Sequence, residues 1–178
     1  MVRRPNANVS LALPDSFDDG ERYRIKLNEI EERESQYGNG TALVWHSNIY
    51  DRDGIAFQDT NTGLNFDLWM WTSDSTAFNP ANGRKAKARE YAEAFLGRAL
   101  SDDDINEMID DGFAEALVGH IAIASFEVTT NADGNSRLNV IKLRPAKGNQ
   151  KRDEKDVTTR KRKADDDDDD DGGLDDSI

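Results

Sequence analysis

Between Arg22 and Glu31 the chain reads RYRIKLNEIE, and Tyr23, Ile25 and Leu27 alternate with Arg22, Arg24 and Lys26. A period of two belongs to a strand with one buried face, so the spacing predicts a first strand over 22–31. The glycines of ERESQYGNG mark a turn, and TALVWHSNIY predicts a second strand over Thr41–Tyr50. DRDG (Asp51–Gly54) turns the chain, IAFQD is an extra strand or a loop, and DTNTG turns it again. LNFDLWMWT predicts a third strand over Leu64–Thr72, with Leu64, Phe66, Leu68 and Met70 on one face. Asn65, Asp67, Trp69 and Trp71 take the other. From about Asn82 to Leu100 the period lengthens, and Ala88, Tyr91, Ala92, Phe95 and Ala99 fall at helical spacing. Asn79-Pro80 precedes this stretch as a breaker, and its alanine, arginine, lysine and glutamate favour a helix. Ser101 with Asp104 resembles a capping box and Gly112 a stop, which predicts a short second helix. A fourth strand follows over Glu115–Thr129, with Gly119 as a bulge or bend. Asn131–Ser136 is a hairpin turn, and a fifth strand runs over Arg137–Leu143 to Pro145.

Three strands, a helical stretch and two strands is the element order of the oligonucleotide/oligosaccharide-binding (OB) fold. The expected fold class is mainly β. It is a five-stranded OB-like barrel, with a helix and a short second helix between strands three and four, and a disordered C-terminal tail. The expected organisation is an N-terminal arm over 1–19, the barrel over 20–145, a basic linker over 146–163 and an acidic tail over 164–178.

Charge sharpens the ends of this layout. Residues 1–141 hold 13 basic and 24 acidic residues, a net −11. Residues 142–163 hold 10 basic and 3 acidic residues, a net +7, and residues 164–178 hold nine aspartates and nothing basic. Arg160, Lys161, Arg162 and Lys163 stand just before Asp165, Asp166, Asp167, Asp168, Asp169, Asp170 and Asp171. Leu174, Asp175, Asp176 and Ile178 complete the acidic end. A like-charged block of this length repels itself and serves as an interaction tail. The acidic body argues against a strongly basic nucleic-acid clamp, although a local cluster of cations still acts locally. There are no cysteines, hence no disulfides or thiolate sites, which fits a reducing cytosol. No stretch reads as a secretory signal or approaches the length of a membrane-spanning helix.

The strand pattern YRIKLNEIEERESQYGNG, the insert KAREYAEAFLGRALSDDDI and the pairing of LVGHIAIASFEV with RLNVIKLRP together resemble phage-type single-stranded DNA-binding proteins. The ending DDDDDDDGGLDDSI is similar to the acidic tails of that group, although many of those end in an aromatic residue and this one ends Ser-Ile. The resemblance covers roughly residues 20–145 and the tail, and lies in layout more than in a diagnostic motif. It implies binding and protection of single-stranded DNA in replication or recombination. The acidic tail would gate binding and recruit replication or recombination proteins. It implies the cytoplasm of a bacterial host, or a nucleus if the basic linker is a localisation signal.

Binding single strands without sequence preference needs aromatic faces for bases and cations for phosphates. The candidates are Trp45, Trp69 and Trp71 with Arg22, Arg24, Lys26, Lys142 and Arg144. Trp69 and Trp71 share a face, which Trp45 joins if strands two and three pair in the fitting register. The alternative is that the tryptophans are core and the arginines a plain solvated face. Arg84, Lys85, Lys87 and Arg89 are read as a solvated helix face. No catalytic motif is present, and the chain is expected to be neither an enzyme nor a cofactor protein. His46 is placed at a surface or interface and His120 in a barrel strand with a satisfied hydrogen bond. The aspartates at 102–104 and 110–111 are read as helix-cap and solvent groups, and the loops at Asp51–Gly54 and Asn131–Asn135 as turns rather than calcium sites. The rival function is a histone-chaperone-like or other protein-interaction module. Its support is the acidic body and the nuclear-localisation-like runs at Lys151-Arg152 and Arg160–Lys163.

Overall fold

The computed structural model describes residues 13–147, except Tyr37, Asn39, Asn131, Asp133 and Asn135. Residues 1–12, nearly all of the expected basic linker and the whole acidic tail lie outside the described residues.

Strand β1 spans Arg22–Glu34 and β2 spans Thr41–Tyr50. They pair antiparallel, Ile25 facing Ile49, with a register shift between Leu27 and Glu29. The extra residue, Asn28, forms a bulge that reverses which parity of β1 faces the core. Before it, Tyr23, Ile25 and Leu27 are buried and Arg22, Arg24 and Lys26 exposed. After it, Ile30 faces Trp45 across the pair, so Glu29, Glu31 and Arg33 continue the outward face.

Strand β3 is Leu68–Ser73, shorter than expected, with Leu68, Met70 and Thr72 buried. Leu64 does not belong to the core face; it is exposed at the surface. The turn at Asp59–Gly63 folds residues 55–66 back on themselves, with single bridges Tyr50–Ala56 and Gln58–Asn65. A two-residue ribbon follows, β4 (Phe78–Asn79) with β5 (Arg84–Lys85). It takes the expected start of the helix, so α1 covers only Lys87–Leu96 and ends at Gly97, φ 74°. Helix α2, Asp102–Asp111, opens on the expected capping box: Ser101 accepts from the Asp104 N–H and Asp104 from the Ser101 N–H. A third helix, α3 (Phe113–Leu117), takes the expected start of strand four. Gly119, φ 91°, then turns the chain into β6, Ile121–Thr130, which pairs with β7, Ser136–Pro145.

The five long strands form one antiparallel sheet in the order β3-β2-β1-β6-β7. The fold is mainly β as expected, but the expected barrel is not closed. Closure needs β3 against β7, and both are edge strands. Helix α1 contacts β3, β6 and β7 and fills the space between the edges with Ala88, Tyr91, Ala92 and Phe95. Side-chain packing on α1 thus replaces the missing ladder. Phe17, near the start of the described chain, joins the same core against Tyr23, Phe57 and Phe126.

Candidate functional site

The sheet has one face on the core and one face outward, and the register fixes what the outward face presents. Arg24 stands beside Ile123 of β6, which stands beside Arg144 of β7. In the next row Arg22 stands beside Ser125, and Ser125 beside Lys142. Lys26 stands beside Asn48 and Ile121. The five candidate cations therefore share one face, on two strands about 10 Å apart with β6 between them. All five are exposed, and none makes an ion pair among the described residues. Some other cations are neutralised, Arg52 by Glu21, Lys85 by Glu93 and Arg98 by Asp104, while Arg84, Lys87, Arg137 and Lys147 are exposed and, like the five, make no ion pair among the described residues. Lys142 also lines an open cleft of about 600 Å³ between α1 and β7.

Trp69 and Trp71 lie on the same outward face, 42% and 45% exposed. Trp45 does not join them. It pairs with Met70, points into the core and is fully buried. There it stacks on Phe95, ring centroids 6.2 Å apart, and its Nε1–H donates to Thr72 Oγ1 at 3.0 Å. A buried indole with a partner for its N–H is a structural group.

Around the two exposed rings the neighbours are ionic, and sequence reasoning missed them. The Arg33 guanidinium carbon lies 4.9 Å from the Trp69 ring centroid and 5.7 Å from that of Trp71. Glu31 holds it there with two hydrogen bonds of 2.8 Å. The hydrogen bond from Arg33, with a smaller one from His46, keeps the Glu31 carboxyl below its usual range, and the same contact raises Arg33. His46 sits between two carboxylates, Nδ1 2.9 Å from Asp67 Oδ2 and Nε2 3.3 Å from Glu31 Oε2. Its imidazolium form donates to both. Asp67 Oδ2 also accepts from the Trp69 indole N–H at 2.5 Å, which fixes that ring. The signal for Arg33 is present in the sequence: the apolar spacing in β1 goes from two to three between Leu27 and Ile30.

The helix-start cations divide. Arg84 is exposed and Lys85 is paired with Glu93, but Arg89 is 3% exposed and not part of a solvated face. It donates to the Leu100 carbonyl and to Asp102 Oδ1, and lies against the Phe78 ring, so it ties α1 to the start of α2 and to the β4–β5 ribbon. His120 precedes β6 rather than lying in it, its Nδ1 3.1 Å from the Leu117 carbonyl. Asp51 Oδ1 accepts from the N–H groups of Asp53 and Ile55, as in a turn. Among the described residues no group of three or more His, Asp or Glu is arranged to hold a metal ion. No helix among them is long and apolar enough to cross a membrane.

Comparison with family models, with curated proteins and with solved structures finds no match to this chain.

Proposed function

We propose that the chain binds single-stranded DNA on the outward face of its sheet, in replication or recombination. The observation that carries this reading is the convergence of five cations without an ion pair among the described residues, Arg22, Arg24, Lys26, Lys142 and Arg144, on the face that also bears Trp69 and Trp71. Exposed like charges repel one another across a strand, and an anionic ligand relieves that repulsion. The phosphates lie along β1 and β7, and bases stack on the two rings at the β3 edge. The strand order is that of an OB barrel opened between its third and fifth strands, with α1 in the opening. The acidic tail, Asp165–Asp171 with Leu174, Asp175, Asp176 and Ile178, gates the cationic face by competing with DNA and recruits basic partner surfaces. The compartment implied is a bacterial cytoplasm, or a nucleus if the basic runs act as a localisation signal.

The test is quenching of tryptophan fluorescence by oligo-dT across a salt series, with Trp45 as a buried constant background. Quenching that weakens with salt and disappears in Trp69→Phe/Trp71→Phe supports the reading. A protein-interaction module is the second reading, favoured by the carboxylates of Glu31, which holds Arg33 against the rings, and Asp67, which accepts from the Trp69 indole, with Glu29 exposed on the same face. Absence of quenching, together with capture of a basic protein by the full chain, selects that reading.

A further inference from the structure

The outward face is polarised. Its cations gather on β7 and the first half of β1. Its carboxylates Glu29 and Glu31, on the second half of β1, and Asp67, just before β3, gather at the end that bears Trp69 and Trp71. The second end already displays the kind of group it accepts. Arg33 lays a guanidinium against both rings while Glu31 binds it with two hydrogen bonds, an arrangement that pairs a cation with aromatic faces and a carboxylate at once. With Arg33 in place both rings remain nearly half exposed, as does Asp67, and Glu29 is exposed.

We propose that this aromatic and carboxylate end of the sheet holds the chain's own basic run, Arg160–Lys163, when no nucleic acid is bound. Charge selects the run: four consecutive cations are repelled from the Arg24–Arg144 end and attracted to the end that exposes Glu29 and Asp67, Glu31 being already paired with Arg33. Length permits it. Twelve residues lie between Lys147 and Arg160, and a chain of that length has a random-coil end-to-end distance of about 19 Å. Crossing the sheet from β7 to β3 takes four inter-strand steps, about 19 Å. A tether matched to its span gives an effective concentration in the millimolar range, so individually weak cation–aromatic contacts are populated. A ligand that stacks on the two rings displaces the run and leaves its four cations free for phosphates.

The test uses the full chain and no nucleic acid, so it stands whether or not the sheet binds DNA. The indole N–H signals of Trp45, Trp69 and Trp71 are followed by ¹⁵N NMR, assigned through single Trp→Phe changes. In the Arg160→Ala/Lys161→Ala/Arg162→Ala/Lys163→Ala variant the Trp69 and Trp71 signals are expected to move, with Trp45 unchanged as the internal reference. High salt is expected to move the wild-type signals toward those of the variant. Superimposable Trp69 and Trp71 signals in the two proteins overturn the proposal. So does a difference that grows with protein concentration, which assigns the occupant to a second copy, and so does an equal shift on replacing Asp165–Asp171 with asparagine.

Discussion

Replacing Arg24 and Arg144 together with alanine tests the phosphate track most directly, because the two flank Ile123 in one cross-strand row and have no carboxylate partner among the described residues. Each phosphate contact on single strands contributes about −0.7 to the slope of log affinity against log salt. Losing two contacts flattens the slope by about 1.4, so the ratio of wild-type to variant affinity shrinks about sevenfold between 50 and 200 mM salt. The fold does not suffer, because no ion pair is broken and a like-charge neighbour is removed. The thermal midpoint should hold or rise slightly. The assay is fluorescence anisotropy of a labelled oligo-dT over a salt series, with thermal unfolding of the same samples. An unchanged slope with an unchanged midpoint refutes the assignment, since it shows a folded sheet whose central cations meet no phosphate.

Trp45→Ala should lose about 3–5 kcal/mol of stability in urea unfolding, the range for truncating a large buried aromatic. Arg89→Met keeps the stem but leaves the buried Leu100 carbonyl without its donor, and should cost about 1–3 kcal/mol in the same assay. Asp104 titrates at about 2 in the folded chain, below 3.8, because of the hydrogen bond from the Ser101 N–H, then those from Arg98 and the Ser101 hydroxyl. A depressed folded value contributes stability above about pH 4 that is lost as pH falls toward 2, and Ser101→Ala should shrink that loss in acid unfolding midpoints.

Where chain signals were local, they were legible. The boundaries of β2 follow from alternation between two turns, and the start of α2 from one capping box. Trp45 shares parity with Leu43 and Ile49, both buried, but Val44 is also buried and blurs the alternation. The spacing of β1 marks the face of Arg33, but the partners of Arg89 and Arg33 were not legible by spacing. Arg89 is defined by Asp102, thirteen positions away, and Arg33 by rings on a strand two over, after a bulge that reverses parity. Barrel closure is likewise non-local. The strand order is compatible with a ladder between β3 and β7, and only the packing of α1 between those edges decides against it.

The net charge of −11 over residues 1–141 argues against a strongly basic nucleic-acid clamp, but the charge is unevenly spread over the sheet. Glu21, Glu31, Glu93, Asp102 and Asp104 each pair with a cation, which leaves the total unchanged but ties those charges into the fold. Asp102–Asp104 also sit in the first turn of α2, where negative charge complements the helix dipole. The uncommitted cations of the sheet concentrate instead on one half of one face. Charges farther apart than about 8 Å are largely screened at physiological salt, so on the proposed reading a strand of phosphates along β1 and β7 would feel that half and not the whole chain. The bulge at Asn28 draws the boundary. It exchanges the outward residues of β1 from Arg22, Arg24 and Lys26 to Glu29, Glu31 and Arg33 within a single strand. Deleting Asn28 would shorten the Leu27–Ile30 spacing from three to two, so β1 would alternate without a bulge and keep Ile30 inward and Glu29, Glu31 and Arg33 outward. That one-residue change ought to keep both the Arg33–tryptophan contact and the Arg24–Arg144 row, so a lost contact in the deletion variant would count against Asn28 being the extra residue.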